Sequence, residues 1–263
     1  MIWHLNNTSI RNPGRYLEAL RAYDEYGLIE GLFGKGNKDA QKTLYNLILD
    51  AGLIDSSKRD SDWNGRKWRL GFRELGLIHY KCLDGLEPGA ISKSGRAILD
   101  ASNDTELQDV YFRIIFNLET RKESETLCFR PVPLILNVIK LLKEAGEKDS
   151  INQIEFAVTL QDIREGMTPQ DYFNEIIKFR EDVKANKGKL RKFYDETYKK
   201  VYERNNGNAG IRTISKDYPD VTFRLLKLSG IFRLEGSKLT LNPQYINLLN
   251  TLCSDNKTYE SES

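Results

Sequence analysis

Two stretches of this chain repeat one design, and the design restricts the folds open to it. Residues 65–80 read GRKWRLGFRELGLIHY and residues 221–234 read VTFRLLKLSGIFRL. Each has the order of a short basic helix, a glycine and an apolar start to a strand. In the first, Trp68, Phe72 and Leu75 fall at helical spacing and form one apolar stripe, while Arg66, Lys67, Arg69 and Arg73 lie on the other faces. Gly76 stands where a helix stops, because glycine takes a left-handed cap without a Cβ clash. In the second, Phe223 and Leu226 form the stripe, Arg224 and Lys227 carry exposed charge, and Gly230 is the stop. Hairpins follow both helices. Residues 77–80 return at 90–93 across KCLDGLEPG, with its D-G and P-G turn signals, and residues 232–234 return at 239–241 across EGSK. Helix, glycine, strand and hairpin is the order of a winged helix-turn-helix, whose helix fits a major groove and whose basic face meets phosphates. The expected fold is mainly α with small β-hairpins, an α+β arrangement of tandem winged helix-turn-helix units.

At 263 residues the chain has room for two domains, expected here at 1–128 and 129–263. Its 40 basic and 38 acidic residues leave a net charge of +2, so a case for nucleic acid must rest on local charge. Cys82, Cys128 and Cys253 are odd in number and far apart, which suggests neither a disulfide framework nor a zinc knuckle and fits a reducing compartment. No apolar run approaches the roughly 18 residues of a membrane span, and no signal peptide opens the chain. A soluble, cytoplasmic, monomeric protein is expected.

Residues 1–15, MIWHLNNTSIRNPGR, have no period and are rich in groups that bond phosphates or bases: Asn7, Arg11, Asn12 and Arg15 among them. Two readings stand, a surface arm capping a helix over 16–26 or a DNA-contacting arm. The Gly-rich connector 27–38 lacks the G-x-x-x-x-G-K-[ST] of a phosphate loop. Asp39 is expected to cap a helix over 40–51, and Ser94 one over 95–101. A longer helix is expected over 105–118. Pro131 and Pro133 mark a boundary before helices at 134–145, 151–160 and 170–180, the last with Thr168 as N-cap and Pro169 in the first turn. Residues 178–204 carry ten Lys/Arg against five Asp/Glu, either a solvated helix face or a phosphate-contacting one. A terminal helix is expected over 244–252.

The stretch NTSIRNPGR, residues 7–15, resembles the opening of AlwI-family type II restriction endonucleases, which are related to FokI in their recognition part. The agreement continues in order at residues 134–146, 151–156, 176–180 and 213–241. The resemblance implies a recognition part of winged-helix subdomains that binds a short, asymmetric, GATC-containing duplex site. It also implies that the N-terminal arm touches DNA. A separate nuclease domain or subunit would cut outside the site with Mg²⁺. That nuclease part is expected to be missing from this chain, which stops at Ser263, so no cofactor is expected within it.

One nuclease-like pattern is present. Pro219-Asp220 followed by Glu235-Gly236-Ser237-Lys238 matches P-D…(D/E)-x-K, the arrangement in which two carboxylates hold Mg²⁺ beside a lysine. Its context argues against it, because Asp220 starts a helix and residues 235–238 form a turn. His4 and His79 are the only histidines, and neither has a nucleophile partner. The expected site is therefore a DNA interface. Base edges are assigned to Arg66, Lys67, Arg69 and Arg73 in the first unit and to Lys216, Asp217, Asp220, Thr222 and Arg224 in the second. Arginine grips guanine bidentately and a carboxylate accepts from cytosine. The arm supplies Asn7, Arg11, Asn12 and Arg15. Phosphates fall to Lys58, Arg59, Lys93, Lys189, Arg191 and Lys192. The rival reading is a tandem winged-helix transcription regulator or interaction module without a nuclease.

Overall fold

The computed structural model describes residues 2–5, 10, 12–33, 37–54, 61–81, 87–121, 128–204, 210–249 and 251, without the side chains of 120, 121, 128 and 248. The chain divides into two compact units, 6–115 and 1–5 with 116–263. The division falls near residue 115 and not at the expected 128/129, and the first five residues go with the second unit.

In the unit 6–115, α1 (Arg15–Tyr26), α2 (Lys38–Asp50) and α3 (Asp62–Glu74) bury one stripe each: Tyr16, Ala19, Leu20 and Tyr23; Ala40, Leu44, Tyr45 and Ile48; Trp68 and Phe72. Asn37, not Asp39, caps α2, its side chain accepting from the Ala40 N–H. Ser61 caps α3 through the Asn64 N–H, so this helix starts at Asp62, four residues before the first cation of the basic run, Arg66. Two glycines allow α3 to sit close to its neighbours. A Cβ at Gly65 would lie 1.8 Å from the Gln41 carbonyl oxygen of α2, and one at Gly71 would lie 2.1 Å from the Tyr16 hydroxyl of α1.

The expected glycine stop holds. Gly76 has φ +64°, its N–H donates to the Arg73 carbonyl at 2.9 Å, and the Leu77 N–H donates to the Phe72 carbonyl at 2.8 Å. These two bonds make a Schellman cap. The hairpin that follows is short. Ile78 bridges Ile91, with His79 N–H donating to Ala90 and Ser92 N–H to Leu77. Residues 82–86, which carry the D-G signal, lie outside the described residues. Ser92, not Ser94, caps α4 (Lys93–Asp100), which draws Lys93 from the expected strand into the helix. α5 (Asp104–Phe116) buries Val110, Tyr111, Ile115 and Phe116.

In the second unit a two-residue ribbon pairs β1 (Thr120–Arg121) with β2 (Cys128–Phe129). The expected boundary prolines open α6 (Pro131–Glu144), a helix buried at Val132, Ile135, Leu136, Val138, Ile139 and Leu142. Proline suits a first turn, where its missing N–H would have had no partner. Residues 151–160 are not one helix. β3 (Ser150–Asn152) runs into α7 (Gln153–Val158), because Asn152 and Glu155 form a capping box at that point. α8 (Pro169–Ala185) starts as expected, with Thr168 and Asp171 in a second capping box. A 3₁₀ turn, Lys187–Lys189, leads to α9 (Leu190–Arg204). A π-helical turn, Thr213–Asp217, leads directly into α10 (Tyr218–Leu228).

β4 (Phe232–Glu235) and β5 (Lys238–Leu241) form the expected hairpin, with Phe232 opposite Leu241 and Glu235 opposite Lys238. β3 adds to β5, giving an antiparallel sheet of order β3-β5-β4. Pro243–Leu248 is 3₁₀ in place of the expected α-helix. The start of the chain is part of this core. Trp3 is 2% exposed, packs edge-on against Phe129 and Phe156, and donates its indole N–H to the Leu160 carbonyl. Ile2 bridges Asp162, and the Leu5 N–H donates to the Thr222 hydroxyl at 3.0 Å.

Candidate nucleic-acid interface

In the unit 6–115 the outward face of α3 is set by its period. Burying Gly65, Trp68, Gly71 and Phe72 turns Trp63, Arg66, Lys67, Leu70 and Arg73 the other way. Trp63 is 60% exposed, with the Arg66 guanidinium 5.6 Å and the Lys67 ammonium 5.3 Å from its ring centre. At the other end Tyr80 is 50% exposed, with Arg73 at 6.0 Å and Lys81 at 5.4 Å. Partial burial pushes the Lys67 amine below its ordinary value. The Arg69 guanidinium is also lowered, by burial first and then by the nearby Arg73 and Arg66.

Arg69 itself is a correction. It turns inward, donates to the Leu32 carbonyl at 3.2 Å and lies over Phe33. On the helix it sits beside the buried stripe, so its head is held by the 28–33 loop and is not offered to a groove. Arg15 and Lys93 are exposed at the first positions of α1 and α4. Asn12 is exposed and accepts from the Gly14 N–H at 3.2 Å, the local turn that opens α1. Asn7, Arg11, Lys58 and Arg59 lie outside the described residues.

In the second unit, Thr222 is the other correction. It is fully buried in α10 and its hydroxyl is taken by the Leu5 backbone, so it has no surface for a base. Arg224, one face round, is exposed. Its Nε donates to both oxygens of Asp220 one turn earlier, at 2.9 and 3.0 Å. Asp217 and Lys216 end the π-helical turn, and Asp217 helps burial raise the Tyr218 phenol, on which the His4 ring stacks at 3.9 Å.

The basic stretch 178–204 divides by role. Arg180 is nearly buried and structural, Arg204 pairs with buried Asp162 at 2.8 Å, and Lys192 and Lys199 pair with Glu196 and Glu203 along the helix. Lys189 and Arg191 are exposed around the start of α9. A cleft of about 550 Å³ brings Arg191 and Lys216 together with Lys238 and Ser237 of the hairpin turn, Gln153, and the rings of Tyr194 and Tyr198. Of the nuclease-like pattern, Asp220 is held by Arg224, and Glu235 and Lys238 are cross-strand partners at the hairpin end. Among the described residues no group of three His, Cys, Asp or Glu is placed to hold a metal.

Trp63, Tyr80, Lys81 and the two cleft tyrosines border these basic surfaces, although the sequence assigned none of them to the interface. Trp63 carried a usable signal: it stands outside the 68/72/75 stripe, three and four residues before Arg66 and Lys67.

The family described as AlwI restriction endonuclease matches residues 73–262. A solved structure of the BpuJ1 endonuclease binding domain, in complex with pyrene- and phenanthrene-modified DNA, superposes with a TM-score of 0.57 at 13% identity, covering 90% of this chain and 78% of that one. No curated protein matches.

Proposed function

The chain belongs to the AlwI restriction endonuclease family, and from that premise we propose that it is the duplex-DNA-recognition part of a FokI-like, type IIS restriction or nicking endonuclease. The observation that carries the reading is the outward face of α3. Arg66 is exposed there and Lys67 and Arg73 are half-exposed, on a helix locked to its neighbours by Gly65 and Gly71. A rigid basic helix face is what major-groove reading requires.

Both units are winged helices in this reading. The order α6, β3, α7, α10, β4, β5 with strand order β3-β5-β4 supports it in the second unit, where α8 and α9 are an insertion before the recognition helix. In the first unit α3 is the recognition helix, and the 77–79/89–92 ladder is a reduced wing. Base reading falls to Arg66, Lys67 and Arg73 and to Lys216, Asp217, Asp220 and Arg224. Arg15, Lys93, Lys189, Arg191, Lys192 and Lys238 meet phosphates. Cleavage belongs to a Mg²⁺-dependent nuclease part acting beside this one, in the cytoplasm. The target is a short asymmetric site, and a monomer suffices to read it.

A selection from random duplexes, followed by anisotropy titration of the enriched sequence, tests this. One short asymmetric motif should emerge and outcompete scrambled duplex. Enrichment of no motif, or equal competition by any sequence, would overturn the reading.

A further inference from the structure

Trp63 is the exposed aromatic that the apolar core does not need. Its ring lies opposite the stripe that packs α3 against α1 and α2. A lone exposed apolar residue is ordinary, but three features set this one apart. It sits in the first turn of α3, the end of a recognition helix that reaches base edges. Its turn is rigid: Ser61 caps it, the Gly65 N–H donates to the Ser61 carbonyl at 3.0 Å, and Gly65 is pressed against the α2 backbone. And two cations, Arg66 and Lys67, lie over the ring at 5.6 and 5.3 Å. The pattern recurs about 15 Å along the helix, at a rise of ~1.5 Å per residue, where Arg73 and Lys81 flank Tyr80.

Resting on the DNA-recognition reading, we infer that Trp63 is a direct groove contact. In the unbound protein the cation–π contacts hold the indole in place and keep part of it covered. In the complex Arg66 and Lys67 leave the ring for the bases they read, and the ring packs against a neighbouring base edge. The apolar group that a major groove presents to such a ring is the C5 methyl of thymine. Charge favours this occupant over a protein partner, since every cation around the two rings would otherwise need an acidic counterpart.

The test uses the chain's own fluorescence. It has three tryptophans, and Trp3 and Trp68 are 2% and 4% exposed. Addition of the selected duplex should change the emission of wild type and leave Trp63→Phe unchanged. Anisotropy of labelled duplex runs in parallel. There, Trp63→Ala, with helical content verified by circular dichroism, should bind about tenfold more weakly. Replacing each thymine of the site by deoxyuridine should weaken wild type at one position and leave Trp63→Ala indifferent at that position. The inference is overturned if wild type binds the duplex and Trp63→Ala binds equally well, or if Trp63→Phe shows the same emission change. Thymine-insensitive binding would overturn the base-edge contact. If wild type binds no duplex by anisotropy, it is the recognition reading that fails.

Discussion

Arg180 of α8 reaches Glu155, the capping-box residue of α7, with Nε 2.8 Å from Oε1, and both side chains are largely shielded, at 13% and 7% exposure. The same guanidinium donates to the Ser150 carbonyl at 2.7 Å and to the Lys148 carbonyl at 3.1 Å. One side chain therefore ties a helix, a strand and a helix cap together. Removing it strands a buried carboxylate. Arg180→Met should destabilise the protein by about 3–5 kcal/mol in urea unfolding. The double change with Glu155→Gln should recover part of that loss, since the remaining partner is neutral. Equal loss in the single and double variants would show that the backbone contacts, not the ion pair, hold this corner.

The start of the chain is expected to behave as core. Trp3→Ala should cost about 3–5 kcal/mol, in the range of other large-to-small aromatic changes in a core. Deleting residues 1–5 should lower the melting temperature before any effect on DNA can be read. A truncated protein with unchanged melting would return these residues to the role of a solvated arm.

Gly65 and Gly188 make a matched pair. A methyl at Gly65 meets the α2 backbone, whereas one at Gly188 meets nothing within 4 Å. Gly65→Ala should destabilise by about 1–3 kcal/mol or more through overpacking, and it should weaken DNA binding by tilting α3. Gly188→Ala should leave thermal unfolding unchanged or slightly raised. Calorimetry on both variants decides this.

The Asp220–Arg224 pair separates base reading from charge. If Arg224 leaves Asp220 for a guanine, Arg224→Ala should lose about 1–3 kcal/mol and relax preference at that base pair alone. Lys192→Ala should weaken all duplexes alike and lower the salt slope by about one unit. Titrations against single-base variants at two salt concentrations distinguish them. A uniform loss for Arg224→Ala would make α10 a positioning helix.

Alkaline pH should unfold the protein through its buried phenols. Burial first, and then the Glu18 carboxylate, push the Tyr111 phenol up to about 12, and Tyr198 is pushed as high by burial and by Tyr194 and Asp195. A folded pKa above the unfolded one adds stability below the unfolded value, near pH 10, and loses it as pH rises toward 12. The urea midpoint should fall across that window. Tyr111→Phe should flatten the fall. It should also be neutral or stabilising at pH 7, because the Tyr111 hydroxyl is buried and finds no hydrogen-bond partner among the described residues.

Periodicity and glycine stops were legible in the sequence, whereas the N-caps expected at Asp39 and Ser94 are Asn37 and Ser92. The 68/72/75 stripe, the glycine stops at 76 and 230, the Thr168–Pro169 helix start and the β4–β5 hairpin are each fixed within about ten residues of chain, and local sterics decide them. Tertiary structure decided what the period left open. Arg66 and Arg69 look alike in sequence, yet one faces solvent and the other donates to Leu32, because the 28–33 loop packs on one flank of α3. Thr222 reads as a polar helix residue until Leu5, 217 positions away, takes its hydroxyl. Trp3 looked like part of a polar arm because the partners that bury it, Phe129, Phe156 and Leu160, lie far along the chain. The sequence determined the glycine-stopped helices, the Thr168 start and the second hairpin, while the extent of 151–160 and the caps of α2 and α4 were set otherwise. Only long-range packing determined which of their polar residues remain for a partner, because burial is a property of neighbours that local sequence does not contain.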